Sequence, residues 1–292
     1  MISYYIKLII KKTTNSQQRQ SIRKLKRHLK SLIIKKEKTN LNVIHNILTE
    51  QFGIKKNDKI FVTSSFGNLN ADFTPQELIN LLMEIVGKDG VIVMPYYPPM
   101  NSTEWARHNN TFDMDFTKSG MGILTNVFSK MPNVIKSTHP TKALCIWGKN
   151  AESIASHHEF STTPYYKDSP YAHFLGEDCK SIGLGCKNMP MIHSIEDILS
   201  TDYTEYYQSK PYNLTVINKE RKTITTKTYI HDDKILSDCM TGWDYAKKIG
   251  CKSLQTTNIG YSCMFIVNNF ELLQLSKVYF SKGKTRIRSS WK

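Results

Sequence analysis

Short apolar runs alternate with helix-forming patterns between residues 59 and about 200, and this alternation constrains the fold more than any other feature of the 292-residue chain. The β-rich runs are KIFVTSS (59–65), VIVMPY (91–96), KALCIWG (142–148) and SIGLG (181–185). Each is short enough to be a buried strand, and helical patterns separate them. Strands that alternate with helices predict a layered α/β/α sheet.

Helices are predicted where apolar residues recur every three to four positions. The predicted segments are 40–52, 74–86, 120–131, 150–158, 168–177, 191–203 and 242–250. The second begins with Thr74, Pro75 and Glu77, which together form a helix-start pattern. A polar loop of about twenty residues, long for a compact domain, follows the strand at 91–96.

Beyond residue 210 the pattern changes to alternating β-type sequence. The strand-like runs are YNLTVINKERKTITTKTYI (212–230) with a turn near 219–221, YSCMFIV (261–267) and KVYF (277–280). No linker rich in proline, serine or glycine separates this part from the rest. We therefore predict one domain over residues 39–292, with an appended β-rich C-terminal part.

The positive charge is concentrated at the N-terminus. Residues 1–38 contribute +11 of the formal net charge of +15. Within them the apolar residues recur at helical spacing: Ile22, Leu25, Leu29, Leu32 and Ile33. A basic amphipathic helical arm of this kind binds anionic membrane surfaces. Packing of the arm on the domain or on a partner subunit is an equally weighted alternative, and nucleic acid is the least favoured partner.

The cysteines indicate a reduced, cytoplasmic protein, with peripheral contact at the inner face of the membrane through the arm as an open alternative. The six are scattered without a CxxC pair, and no apolar run is long enough to span a membrane. The first residues, MISYYIKLII, lack a small-residue cleavage site, so we do not expect a signal peptide. No set of residues has metal-ligand spacing, so no metal is expected.

His193 and Glu196 are three residues apart in a predicted helix, and residues at that spacing share a helix face. A carboxylate in contact with an imidazole fixes the tautomer of the ring and stabilises its charged form, as a general base requires. The alternative from the residues alone is a structural pair on a buried helix.

Three further motifs have both structural and chemical interpretations. Thr63, Ser64 and Ser65 end a strand, where their hydroxyls could serve as a nucleophile, bind an oxyanion or simply form a turn. Gly120, Met121 and Gly122 open a helix whose N–H groups could face an anion. His139 precedes a strand, and Asp168 precedes a helix cap; either could contact a substrate.

The order of these motifs resembles the antibiotic N-acetyltransferases of the aminoglycoside 3-N-acetyltransferase family. The resemblance covers roughly residues 42–200 and rests on VTSSF, LMEIVGKDGVIVMP, SGMG, STHP, DSP and HxxE in that order. It implies an α/β/α fold and transfer of an acetyl group from acetyl-coenzyme A to an amino group of an amino sugar. This chain departs from the family at Thr63, where histidine is common, and at Ser119, where arginine is common.

The resemblance also implies roles for individual residues. His193 would be the general base, and Glu196 would orient its ring. His139 and Asp168 would lie on the amino-sugar side. The residues that would contact acetyl-coenzyme A are Thr63, Ser64, Ser65, Gly120, Met121 and Gly122.

The identity of the acceptor is open among several hypotheses. Acids are sparse between residues 142 and 176, and with the basic arm this favours an anionic amino sugar, linked to a nucleotide or a lipid in surface-polysaccharide synthesis. An aminoglycoside antibiotic, acetylated in resistance, is the alternative.

Two hypotheses belong to other classes of function. One is a catalytically idle protein that binds membrane or nucleic acid through its arm, and the other is a serine hydrolase that uses Ser64 or Ser65. A homo-oligomer remains open.

Overall fold

The computed structural model describes residues 37–161, 163–200 and 202–292, together with Gln18, Ser21, Ile22 and Leu25. The predicted basic arm therefore lies almost entirely outside the described residues. Among the described residues, no helix combines the length and the apolarity needed to cross a membrane.

Ten strands form two sheets in the described part of the chain. They are β1 (Lys59–Ser64), β2 (Val91–Pro95), β3 (Phe112–Asp113), β4 (Ile135–Lys136), β5 (Leu144–Gly148), β6 (Cys179–Leu184), β7 (Tyr212–Ile217), β8 (Thr223–Thr228), β9 (Gln255–Ile259) and β10 (Ser262–Asn268). The main sheet has the order β4-β5-β2-β1-β6-β10-β9. Its three central strands, β2, β1 and β6, are parallel, and the flanking strands pair antiparallel.

The predicted β-rich C-terminal part is divided between the two sheets. β9 and β10 extend the main sheet beside β6, whereas β7 and β8 form a hairpin that pairs with β3 in a separate three-stranded sheet. Arg221 makes the tight turn of this hairpin with φ of 61°.

The helices cover both faces of the main sheet. They are α1 (Leu41–Asn46, which continues as a π-helical segment at Ile47–Gln51), α2 (Pro75–Val86), α3 (Ser102–Arg107), α4 (Ile123–Phe128), α5 (Ala151–Ala155), α6 (Met191–Leu199), α7 (Asp233–Asp238), α8 (Gly242–Lys248) and α9 (Asn269–Phe280). Because side chains alternate along a strand, Ile60 and Val62 of β1 enter one core with α2, and Phe61 enters the other with α6 and α9. The α/β/α layering predicted from the sequence is confirmed.

The start of α2 also follows the prediction. Thr74 accepts a hydrogen bond from the N–H of Glu77 at 3.2 Å, and the Glu77 carboxylate accepts one from the N–H of Thr74 at 2.7 Å. The helix ends at Gly87, whose φ is 67°. This reciprocal capping box satisfies N–H groups that the first turn leaves without helical partners.

Three local predictions differ from the structure. Residues 277–280, predicted as strand-like, belong to α9, which begins where the Asn268 side chain caps the N–H of Glu271. The long polar loop contains α3 and β3. The helix predicted over 150–158 ends at Ala155, and His157 has φ of 61°, outside the helical region.

Candidate active site

The candidate site lies at the carboxyl edge of the three parallel strands. Parallel strands bring their carboxyl ends to one edge, so the residues after β1, β2 and β6 meet there. The chain leaves β6 through Gly185, where a Cβ atom would lie 2.8 Å from the carbonyl oxygen of Ser65, and then enters α6. His193 stands in the first turn of that helix.

The predicted contact between His193 and Glu196 exists in the structure. His193 Nδ1 lies 3.0 Å from Glu196 Oε2. The Glu196 side chain is fully buried, and that of His193 is 19% exposed. A carboxylate only accepts hydrogen bonds, so Nδ1 carries the proton of the neutral ring and the lone pair of Nε2 is available.

Arg286 holds the other side of the same carboxylate. Its Nε donates to Glu196 Oε1 at 2.6 Å, its Nη2 donates to Oε2 at 3.1 Å, and its Nη1 donates to the carbonyl oxygen of Met240 at 2.8 Å. Burial by itself raises the pKa of Glu196, but the Arg286 guanidinium and the His193 ring outweigh it and place the pKa below its usual value. Glu196 is therefore a carboxylate at neutral pH.

The environment of His193 keeps its ring neutral at pH 7. Burial lowers the pKa of His193, the hydrogen bond to Glu196 raises it, and the positive charges of Arg286 and Lys142 lower it again. The net pKa lies below the ordinary value of 6.5. A base must be unprotonated to accept a proton, so this environment suits general-base chemistry.

Aromatic rings surround the dyad. The ring centroid of His193 lies 5.2 Å from that of Tyr165 and 4.5 Å from that of His231. His231 in turn stacks on Tyr207 at 4.4 Å. The Nε2 atom of His231 is buried without a hydrogen-bond partner, and burial, followed by the electrostatic influence of the neighbouring His193 ring, places the pKa of His231 well below 6.5.

Asp197, the residue after Glu196, is a second fully buried carboxyl group. The hydroxyls of Thr163 and Tyr207 donate to its Oδ2 atom, whereas Oδ1 has no partner. Burial raises the pKa of Asp197 to about 8, although both hydroxyl bonds oppose the shift. At neutral pH this group is mainly protonated and uncharged.

Thr63 makes internal contacts at the end of β1. Its side chain is buried, and its hydroxyl donates to the carbonyl oxygen of Asn188 at 2.8 Å, so it ties β1 to the loop before α6. Ser64 and Ser65 follow at the open edge of the sheet, and both are half-buried. Their hydroxyls make no hydrogen bond within the described part of the chain. Of the three predicted cofactor residues at this strand end, Ser64 and Ser65 have side chains free to meet a ligand.

The glycine turn before α4 is largely satisfied from within the chain. The N–H of Gly120 donates to the carbonyl oxygen of Tyr97 at 2.9 Å, and that of Met121 donates to Ser119 Oγ at 3.0 Å. Gly122, with φ of 103°, precedes the helix. A contact of this turn with a cofactor would therefore fall on Gly122 and the start of α4.

His139 has a structural environment. It is fully buried, and its Nδ1 accepts hydrogen bonds from the N–H groups of Thr141 and Lys142, so its Nε2 carries the proton and donates to Thr228 Oγ1 at 3.2 Å. Both ring nitrogens are therefore engaged by groups of the protein itself. Its predicted contact with the acceptor would require these bonds to break.

Asp168 is exposed, and its charge contributes to the raised pKa of Asp197. The Ser169 hydroxyl after it donates to the carbonyl oxygen of Tyr166 instead of capping the next helical turn, at Pro170–Phe174. Asp168 is thus placed near the buried acids of α6. Its role in acceptor binding stays a prediction.

Sequence reasoning missed several residues of the site: Arg286, His231, Tyr165, Tyr207, Asp197 and Thr163. Asp197 adjoins Glu196, so its position near the dyad could have been considered. Arg286 lies 90 residues after Glu196 within a basic stretch that offers no local signal. Among the described residues, no group of three or more His, Cys, Asp or Glu is placed to hold a metal ion.

Comparison with known proteins identifies the class. A family model described as aminoglycoside 3-N-acetyltransferase matches residues 61–281, which is more than half of the chain. The chain is thus an enzyme of the acyltransferase class. It belongs to the aminoglycoside 3-N-acetyltransferase family.

A curated relative is the SPbeta prophage-derived aminoglycoside N(3')-acetyltransferase-like protein YokD of Bacillus subtilis (strain 168), with 27% identity over 124 residues. This match spans 36% of the chain and 46% of YokD, less than half of the length of that relative.

Two solved structures share the fold. Sisomicin-bound AAC-VIa has a TM-score of 0.68 and 17% identity, and the match covers 85% of this chain and 100% of that one. The complex of AAC-IIIb with CoASH has a TM-score of 0.66 and 16% identity, and the match covers 84% of this chain and 97% of that one.

Proposed function

We propose that this chain transfers an acetyl group from acetyl-coenzyme A to an amino group of an aminoglycoside-type amino sugar. The observation that carries the proposal is the His193 imidazole at the sheet edge. Its Nδ1 is committed to the buried Glu196 and its Nε2 is open. Membership of the aminoglycoside 3-N-acetyltransferase family supports the reaction class.

In the proposed reaction His193 Nε2 removes a proton from the attacking amine. The nitrogen forms a bond to the thioester carbonyl carbon, and the carbonyl oxygen becomes an oxyanion. When the tetrahedral intermediate collapses, the carbon–sulfur bond breaks and the sulfur takes a proton. One amine and one thioester thus give one amide and one thiol. Glu196 stabilises the imidazolium that forms and holds the ring in place.

The donor side of the proposal rests on Ser64, Ser65 and Gly122. The two serine hydroxyls are half-buried at the carboxyl edge of β1 without a partner among the described residues, so they can donate to a developing oxyanion. Gly122 leaves its N–H at the exposed start of α4. The structural neighbour AAC-IIIb was solved with CoASH, which supports coenzyme A as the carrier.

For the acceptor, the comparisons favour an aminoglycoside over the polysaccharide sugar expected from composition. The neighbour AAC-VIa was solved with sisomicin, and YokD is described as similar to aminoglycoside acetyltransferases. The exposed carboxylate of Asp168, near the dyad, supports a cationic acceptor. Antibiotic resistance is the role that this substrate class implies.

Release of free thiol from acetyl-coenzyme A tests the proposal. We expect turnover with an aminoglycoside in the wild type and a loss of about 100-fold or more in kcat for His193→Ala, since general-base help is worth about 10²–10⁴. His45→Ala, at an exposed histidine of α1, is the matched control and should keep full activity.

The acceptor panel should include sisomicin, a simple amino sugar and a nucleotide-linked amino sugar. Preference for the nucleotide-linked sugar would replace the aminoglycoside assignment with the polysaccharide one. Equal turnover by wild type and His193→Ala would remove His193 as the base. Silence across the panel together with no binding of coenzyme A would refute acetyl transfer.

A further inference from the structure

We propose that Arg286 is a positioning residue of the active site: its guanidinium binds both oxygens of Glu196 and thereby fixes the orientation and the charge state of the His193 ring. The inference rests on the proposed function, because it assigns Arg286 a part in presenting the base. It concerns a residue that enters the site from the last turn-rich segment of the chain, after α9.

The contacts are those of a forked guanidinium on a carboxylate. Nε and Nη2 of Arg286 reach Oε1 and Oε2 of Glu196 at 2.6 and 3.1 Å. The third bond, from Nη1 to the Met240 carbonyl oxygen at 2.8 Å, anchors the guanidinium to the segment before α8. A bidentate pair fixes direction as well as distance, and a lysine ammonium cannot reproduce that geometry.

Arg286 is the largest influence that keeps the Glu196 carboxylate charged, ahead of the hydrogen bond from His193. Glu196 is fully buried, and Arg286 is 6% exposed, so neither charge is stabilised by water. A buried carboxylate without its cation would take up a proton, either on itself or as an ion pair with a protonated His193. In both cases the His193–Glu196 pair would hold one more proton at neutral pH than it does beside Arg286.

Other titratable groups face the pair from several elements. They are Asp197 on α6, Lys142 before β5, Cys239 after α7, Tyr245 on α8, His231 before α7, and the tyrosines Tyr165, Tyr206 and Tyr207. Lys142 is the remaining cation of this set. It acts on the ring in the same direction as Arg286, but it makes no ion pair with Glu196 among the described contacts.

The test is the titration of the His193 ring followed by NMR in Arg286→Met and in the wild type, without substrate. We expect the ring of the variant to titrate about one pH unit or more higher, the size of effect that a close opposite charge has on a carboxylate. The acid limb of kcat/KM should move to higher pH by the same amount. Arg286→Lys should recover part of the shift, because it restores the charge without the fork.

Two further variants separate positioning from simple stabilisation. Lys180→Met breaks a partly buried ion pair, with Asp58 at 2.5 Å, and should lower the Tm while leaving the titration of His193 unchanged. The double variant Arg286→Met/Glu196→Gln removes both buried charges and should regain stability without regaining kcat.

A folded Arg286→Met protein with unchanged His193 titration and an unchanged acid limb would overturn the inference. So would a double variant that recovers both Tm and kcat. The titration needs no acceptor and no donor, so it still decides the role of Arg286 if the acetyl-transfer assay fails.

Discussion

Asp197 is buried beside the dyad with one carboxyl oxygen in contact with two hydroxyls and the other in contact with no partner. The two hydroxyls only partly compensate the burial of an ionised carboxylate there, and Oδ1 has no partner among the described residues for a retained proton. The buried Asp197 therefore lowers the stability of the folded protein. Incompletely satisfied polar groups of this kind often occur at functional sites.

The retained proton predicts a pH dependence. The pKa of Asp197 is about 8 in the folded protein against 3.8 without the fold, so between those values the native state keeps a proton that the unfolded chain has lost. The free energy of unfolding of the wild type should then fall as pH rises through that window, by up to about 1.4 kcal/mol per pH unit. Asp197→Asn cannot titrate and should lack this decline.

Urea denaturation of wild type and Asp197→Asn between about pH 4 and 8 measures the difference. Other titratable groups cancel in the comparison of the two proteins. Asp72→Asn, at an exposed carboxylate before α2, is the matched control. Parallel stability curves for wild type and Asp197→Asn would show that Asp197 is ionised in the folded protein.

At the scale of elements, β6 depends on a glycine that its sequence pattern does not explain. Gly183 pairs directly with Phe265 of β10, and a Cβ atom at Gly183 would lie 2.0 Å from Cε1 of that ring. The ring is fully buried and packs edge-on against Trp243 at 5.5 Å. The missing side chain at Gly183 is therefore the space that Phe265 fills.

Gly183→Ala should lower the free energy of unfolding by about 1–3 kcal/mol, the usual cost of overpacking a core. Gly176→Ala is the control, because its Cβ would meet the flexible Asp178 carboxylate at 3.2 Å and, at an ordinary contact distance of 3.8 Å, the sulfur of Cys179. The double variant Gly183→Ala/Phe265→Leu should recover part of the loss in urea denaturation. Equal stability of Gly183→Ala and wild type would contradict the packing explanation.

The boundaries and types of two helices show where the local sequence pattern is sufficient for prediction and where it is not. The capping residues and apolar period of α2 were sufficient to predict its start and end, since each signal lies within a few residues of the boundary. The KVYF run was predicted as strand-like because it is rich in β-branched and aromatic residues. It lies instead in a helix whose buried side, including Leu272 and Leu273, packs on the sheet. Packing overrode the local propensity there.

At the scale of the whole molecule, most of the positive charge lies in the N-terminal arm, whereas the candidate active site lies in the domain that follows the arm. The described body is tied together from Thr39 onward, whose N–H donates to the carbonyl oxygen of Asn70 at 2.9 Å and whose hydroxyl donates to that of Leu69 at 2.7 Å. All residues that we assign to the site follow this point. The basic arm precedes it.

Deletion of residues 1–36 should therefore leave kcat for thiol release unchanged. Because the arm carries most of the net charge, the full chain should bind vesicles of anionic lipid and the shortened chain should not. Sedimentation with vesicles at low and high salt measures this. Failure of the full chain to bind would favour packing of the arm on the domain, and loss of turnover on deletion would contradict the separation of site and arm.

The sequence alone determined the properties that depend on near neighbours along the chain. The alternation of apolar runs specified the layered sheet, and the three-residue spacing of His193 and Glu196 placed them in contact, because period and spacing are local quantities. Only the tertiary structure decided which groups complete that pair. Arg286 and His231 reach it from distant segments, while Thr63 and His139 turn their polar atoms to internal partners. Such contacts depend on the path of the chain between elements, which no local pattern encodes.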